Sequence, residues 1–172
     1  VFDDGLWWIE MAPLTDPAQV SRAVAAALGL RDTPDRTATE ALIQTLRPKS
    51  TLLIWDNCEH LTRACAQLAG DLIRTCPRLS ILCTSRAPLD LDGESLFPVL
   101  PLEVVNLDAR TPPTNLAPGE AVRLFVDRAA SALPGYRLNA DNAAAITQIC
   151  RRLDGLPLAI ELAARWVRVL SA

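Results

Sequence analysis

The stretch Thr51-Leu-Leu-Ile-Trp-Asp-Asn-Cys-Glu-His60 decides how this chain is read. Leu52, Leu53, Ile54 and Trp55 form a continuous apolar run without alternation, the pattern of a strand covered on both faces in a parallel sheet flanked by helices. The run stops at Asp56 and Asn57 and then turns into a helix. In open sheets of this kind ligands sit beyond the carboxyl ends of the strands. A carboxylate placed there can hold Mg²⁺ against nucleotide phosphates, directly or through water. The plainer reading of Asp56 is a cap on the helix that follows.

Two further blocks extend the pattern. Leu79-Ser-Ile-Leu-Cys-Thr-Ser-Arg86 is a second short apolar strand, ending in two hydroxyls and a guanidinium. If it lies parallel to and beside the first, Thr84, Ser85 and Arg86 emerge at the same sheet edge as Asp56, where an arginine can pair bidentately with phosphate oxygens. Alone, an arginine after a strand is a solvated loop residue. In Arg151-Arg-Leu-Asp-Gly-Leu-Pro-Leu158, Gly155 can end one helix in the left-handed conformation and Pro157 can open the next.

In this order, LLIWDNCEH, ILCTSR and RRLDGLPLAIELAA resemble the nucleotide-binding module of STAND-class P-loop ATPases, specifically the NB-ARC-like ATPases of bacterial regulators. Many of those regulators carry a LuxR-type or SARP-type DNA-binding domain elsewhere in a much longer chain. The likeness extends to Gly5-Leu-Trp-Trp-Ile-Glu-Met-Ala-Pro-Leu14 and Glu120-Ala-Val-Arg-Leu-Phe-Val126. It implies ATP or ADP with Mg²⁺ as cofactors, Asp56 as the Walker B metal carboxylate and Arg86 as the sensor of the terminal phosphate. Pro157 then corresponds to the proline that packs against adenine. The implied cofactor-binding set is Asp56, Asn57, Thr84, Ser85, Arg86, Gly155 and Pro157. Asn57 stands where many relatives carry a second acid. Glu59 is the nearest carboxylate able to compensate as a catalytic base, beside its simpler role as a first-turn acid favoured by the helix dipole.

The P-loop itself is missing from these residues. G-x-x-x-x-G-K-[ST] wraps phosphates with backbone amides and reaches their outer oxygens with lysine. The single lysine, Lys49, follows Arg47 and Pro48 with no glycine nearby and reads as a solvated residue entering the strand. With Val1 standing directly before the family's second strand, the expectation is a fragment whose first strand and P-loop lie upstream. A sheet lacking that strand would keep an unpaired edge and a partly open apolar groove, which invites pairing with another chain. Strand-mediated dimerisation or very weak nucleotide binding follows as an expectation.

Composition sets further limits. The 172 residues, 50% of them hydrophobic, can bury a core and form one domain plus a smaller appendage. A net charge of −3 and a pI near 5.2 supply no basic field for a nucleic-acid backbone, so direct nucleic-acid binding is not expected. No apolar run approaches the roughly 18 residues of a membrane span and no signal peptide opens the chain, which points to the cytoplasm. Cys58, Cys65, Cys76, Cys83 and Cys150 are widely spaced, odd in number and accompanied by one histidine, so buried free thiols are expected rather than disulfides or zinc. Cys58 and His60, two residues apart, point in different directions on a helix and make a poor nucleophile and base.

Along the chain, Leu6–Ala12 reads as a strand, and Asp16-Pro17 starts a helix with Val20, Val24, Ala27 and Leu28 inward, ended by Gly29. Thr37-Ala-Thr-Glu40 is a capping box for a second helix with Leu42 and Leu46 inward. Leu61, Cys65, Leu68, Leu72 and Cys76 recur at helical spacing until Pro77. Strands alternating with helices argue for a parallel α/β topology. Glu94–Leu102 reads as a last, edge strand because of Pro98. The expected organisation is an α/β domain over 1–103, a linker over 104–117, and the start of a helical lid domain over 118–172. Its inward stripes are Val122, Phe125, Ala129 and Leu133, then Ile146, Ile149, Cys150 and Leu153, then Leu158, Leu162 and Leu170.

The leading functional expectation is a nucleotide-switched ATPase module of a transcriptional regulator. ATP would lie between the α/β and helical domains, hydrolysis would be slow in the intact protein, and the fragment alone would be inactive. Partners would engage the helical part or the exposed sheet edge. A degenerate scaffold that binds proteins and never nucleotide is the alternative. An unrelated α/β hydrolase is disfavoured by the lack of a G-x-S-x-G elbow or a second histidine.

Overall fold

The computed structural model describes residues 2–31, 35–105 and 119–169. Two compact units divide between Leu96 and Phe97. The first is α/β: β1 (Leu6–Glu10), α1 (Val20–Ala27), α2 (Ala38–Leu46), β2 (Thr51–Asp56), α3 (Thr62–Thr75) and β3 (Leu79–Cys83). The three strands form one parallel sheet in the order β1-β2-β3.

Local sequence explains the helix starts. Asp16 accepts a hydrogen bond from the Ala18 amide and Pro17 opens a single 3₁₀ turn that leads into α1. Gly29, at φ +73°, ends that helix. At α2 the Thr37 hydroxyl accepts from the Glu40 amide at 3.2 Å while the Glu40 carboxylate accepts from the Thr37 amide at 2.8 Å. The capping box is therefore complete. Hydrogen bonds from Thr37 hold the Glu40 carboxyl below its ordinary value, the Thr37 amide contributing most and its hydroxyl next.

All three helices lie against one face of the sheet. Leu53 and Trp55 of β2 and Ile9 of β1 share a core with Val20, Val24, Leu42, Leu46, Cys65, Leu68 and Leu72. The expectation that both faces are covered is corrected here. On the opposite face Leu6 and Trp8 of β1 and Leu82 of β3 are more than half exposed, and Leu52 and Ile54 between them are only partly buried. The register sets Trp8, Ile54 and Leu82 side by side across the three strands. A continuous apolar β2 is what a two-faced strand requires, but the three helices of this unit leave its second face uncovered.

No strand forms over Glu94–Leu102. Pro98 and Pro101 lack the amide that a ladder needs, and Glu94 turns its carboxylate back to the Leu89 and Asp90 amides, both at 3.0 Å. Phe97, Val99 and Leu100 are left exposed.

The second unit is helical: α4 (Glu120–Ala132), α5 (Ala143–Arg152) and α6 (Pro157–Ala164), continued by a 3₁₀ turn over Arg165–Arg168. Its core gathers Val122, Phe125, Ala129, Ile146, Cys150, Ile160 and Ala164. The first two expected stripes lie inward except Leu133, which is exposed at the end of α4. The third is corrected: Leu158 and Leu162 face outward, while Ile160 and Ala164 fill the core. Leu170 and nearly all of the expected linker lie outside the described residues.

Candidate functional site

The tips of β2 and β3 are stitched together by side-chain and backbone bonds. The Thr84 amide donates to the Trp55 carbonyl and the Cys58 amide to the Thr84 carbonyl, both at 2.9 Å. The Thr84 hydroxyl accepts from the Asn57 amide at 2.9 Å and donates to Asp56 Oδ1 at 2.5 Å. One hydroxyl thus fixes both the corner and the carboxylate. Asn57 makes the corner possible by adopting φ +65°, a left-handed conformation that asparagine and aspartate tolerate better than other side chains.

Asp56 does not cap the following helix. Helix α3 begins at Thr62, and no side chain caps its amino end. Glu59 also lies outside the first turn, which holds no acid. It forms an ion pair instead with Arg86, Nε to Oε1 at 3.2 Å, in which the arginine side chain is 89% exposed. Ser85 accepts a bond from the Ala87 amide at 3.3 Å and shapes the loop after β3. Asp56, Asn57, Glu59, Thr84, Ser85 and Arg86 are therefore grouped at one sheet edge, which requires β2 and β3 to be parallel and adjacent.

Glu10 belongs beside this group, though the motif reading did not single it out. It ends β1 in register with Asp56, on the same, uncovered face of the sheet. The signal in the sequence is an acid closing an apolar strand, Trp7-Trp-Ile-Glu10, at the position where the next strand ends in Asp56. Among the described residues no cluster of three or more histidine, cysteine or acidic groups could hold a metal. One or two carboxylates fit Mg²⁺ that is completed by phosphate oxygens and water. They do not fit a cage made by protein alone.

The glycine and proline corner belongs to the helical unit. Gly155, at φ +68°, donates its amide to the Cys150 carbonyl and ends α5, with Asp154 also left-handed at φ +51°. Its carbonyl accepts from the Leu102 amide at 3.0 Å. Pro157 is the first residue of α6, where its missing amide costs nothing.

Cys58 lies next to Asp56 yet is fully buried, and its thiol donates to the Trp55 carbonyl at 3.6 Å. A hydrogen bond with Cys65 favours its thiolate, but the bond with Cys83, burial and the neighbouring charges of Cys83 and Asp56 outweigh it and push the thiol up to about 12. Cys65 is raised by its bond with Cys58 and by burial. Burial raises Cys150 to about 11 against the pull of a backbone hydrogen bond. His60 is engaged elsewhere, with Nε2 2.8 Å from the Leu14 carbonyl. No nucleophile is formed, since thiolate is the reactive species. Because the fold favours the neutral thiols, the stability they contribute is fully present below the ordinary value of 9.0 and is lost as pH rises through it toward 11 and 12. Chemical denaturation at about pH 8 and pH 10 should show a loss of roughly 1 kcal/mol per buried thiol, reduced in Cys150→Ala.

The site defines an open acidic and hydroxylic shelf at the carboxyl edge of a parallel sheet. No family model matches the chain. It is 42% identical over 168 residues to a Mycobacterium tuberculosis H37Rv protein provisionally named an HTH-type transcriptional regulator, and equally to a Mycobacterium bovis protein of the same description. These alignments cover 98% of this chain and 18% of each relative. It is also 41% identical over 170 residues to an uncharacterized protein of Mycobacterium tuberculosis H37Rv, covering 99% of this chain and 40% of that one. The chain thus spans well under half the length of these relatives.

Proposed function

We propose that this chain is the nucleotide-responsive switch module of a transcriptional regulator, an NB-ARC-like ATPase of the STAND class, with Asp56 oriented toward Mg²⁺ and Arg86 toward phosphate. The observation that carries the reading is the Thr84 hydroxyl clamped between the Asn57 amide and Asp56, which fixes a carboxylate at the end of a buried parallel strand. Among the described residues of the α/β unit, the uncovered sheet face and the free edge of β3 are consistent with a further strand and helix that would bring the phosphate-binding loop. In this proposal those lie in a part of the polypeptide outside these residues. The relatives named as transcriptional regulators support the regulatory half of the reading.

In this account the chain's residues position and neutralise, and the bound Mg²⁺ would supply electrostatic stabilisation of the phosphates. Asp56 and Glu10 are the candidates to hold the ion. Arg86 is held by Glu59 in an exposed ion pair, a class of contact worth about 0–1 kcal/mol, so an incoming phosphate can take it over at little cost. The role of the Pro157 corner toward the base rests on the family resemblance alone.

Titration of MgATP onto the complete polypeptide that carries this chain tests the proposal. Asp56→Ala should weaken magnesium-dependent binding by about tenfold or more, since it removes a charged partner of the ion. Binding indifferent to both magnesium and Asp56 would refute it. Glu59→Gln separates two roles. If Glu59 only restrains Arg86, affinity should rise by up to about fivefold, the worth of an exposed ion pair, with hydrolysis retained. A catalytic base would instead lose hydrolysis.

A further inference from the structure

We infer that the outer face of α6 and the turn after it is a docking surface for an acidic amphipathic helix of a partner polypeptide. The sequence Pro157-Leu-Ala-Ile-Glu-Leu-Ala-Ala-Arg-Trp-Val-Arg168 is apolar on both sides. One side is used: Ile160 and Ala164 are buried in the helical core, and Glu161 pairs with Arg128 at 3.2 Å. On the other, Leu158 (71% exposed), Leu162 (51%), Trp166 (60%) and Val169 (72%) follow one another at spacings of four, four and three residues. That is a continuous stripe, and a helix that is apolar all round normally has both sides covered. A shallow concavity of about 470 Å³ lies at the carboxyl end of the stripe, lined by Leu162, Arg165, Trp166, Arg168 and Val169.

Charge selects the occupant. Arg165 and Arg168 are exposed and, among the described residues, carry no ion pair, whereas Arg128 is paired with both Glu161 and Asp127. An apolar centre containing tryptophan, rimmed by free guanidinium groups, matches the amino-acid preferences of binding hot spots. It complements a helix with leucines on one face and glutamates or aspartates beside them. A second copy of the chain fits less well. Two-fold pairing of this stripe would bring the same arginines together, and like charges across an interface are disfavoured. A lipid surface fits less well too: two arginines on a chain of net charge −3 fall short of the polybasic cluster that anionic membranes attract.

Fluorescence anisotropy on the complete polypeptide that carries this chain tests this with two dye-labelled helical peptides that share a leucine stripe, one flanked by glutamates and one by lysines. The acidic peptide should bind about tenfold or more tightly than the basic one, and its affinity should fall with salt. Arg165→Glu with Arg168→Glu should reverse that preference. Leu162→Ser with Trp166→Ser should abolish binding of both peptides. All four positions are exposed, so circular dichroism should remain unchanged. Three results would overturn the inference: failure of the acidic peptide to bind, equal binding of both peptides untouched by the substitutions, or no reversal by the arginine pair. Self-association that Trp166→Ser removes would assign the stripe to a second copy, and binding to phosphatidylserine vesicles in place of peptide would assign it to a membrane; either also overturns it.

Discussion

Replacing Trp55 by alanine should destabilise the α/β unit by about 3–5 kcal/mol, the cost of emptying a large aromatic site in a packed core. Trp55 is wholly buried near the carboxyl end of the middle strand, flanked in the ladders by Ile9 and Cys83 and covered by the helical layer. A loss of that size is a large part of the roughly 5–15 kcal/mol that holds a domain together. Trp55→Phe should cost distinctly less, because the buried indole Nε1 has no hydrogen-bond partner among the described residues and its removal forfeits no bond with them. Urea unfolding followed by far-ultraviolet dichroism distinguishes the pair. Equal midpoints for Trp55→Ala and the parent chain would mean that the helical layer does not pack on β2 as described.

Gly155→Ala should cost the helical unit about 3 kcal/mol, by two mechanisms that add. The residue sits at φ +68°, where an L side chain is strained by about 1–2 kcal/mol. A Cβ there would also lie 2.2 Å from the Leu102 carbonyl oxygen, a backbone atom that cannot swing aside. Overpacking of this kind typically costs about 1–3 kcal/mol. Relief of the clash would also break the bond from the Leu102 amide to the Gly155 carbonyl. Differential scanning calorimetry of this variant should show a lowered transition, and an unchanged one would contradict the close approach.

The comparison between sequence and structure turns on what period and turn chemistry can encode. The strands at Leu6, Thr51 and Leu79, the capping box at Thr37, and the helix end at Gly155 were all legible, because each depends on residues within a few positions of one another. The grouping of Asp56 with Thr84 and Arg86 followed from two apolar runs that end alike. What the pattern could not reveal depends on neighbours distant in sequence. The apolar run of β2 announces two covered faces, but the helices of its own unit cover only one of them. Glu94–Leu102 has strand-like composition, yet its prolines and the Glu94 turn leave it without a ladder. The outward turn of Leu158 and Leu162 was misread because α6 is apolar on both sides, so periodicity gave no preferred face. Gly155 carried a second constraint, the Leu102 backbone beside it, that no local motif announces. The ion pair of Glu59 with Arg86 was likewise hidden, since it joins residues 27 positions apart across two strand tips.

A structure of the complete polypeptide with Mg²⁺ and a non-hydrolysable ATP analogue tests the central claim most directly. The proposal predicts the ion beside the Asp56 carboxylate, with Glu10 adjacent, and Arg86 released from Glu59 to a phosphate oxygen. Nucleotide bound away from these strand tips, or Arg86 still paired with Glu59 while the site is filled, would contradict it.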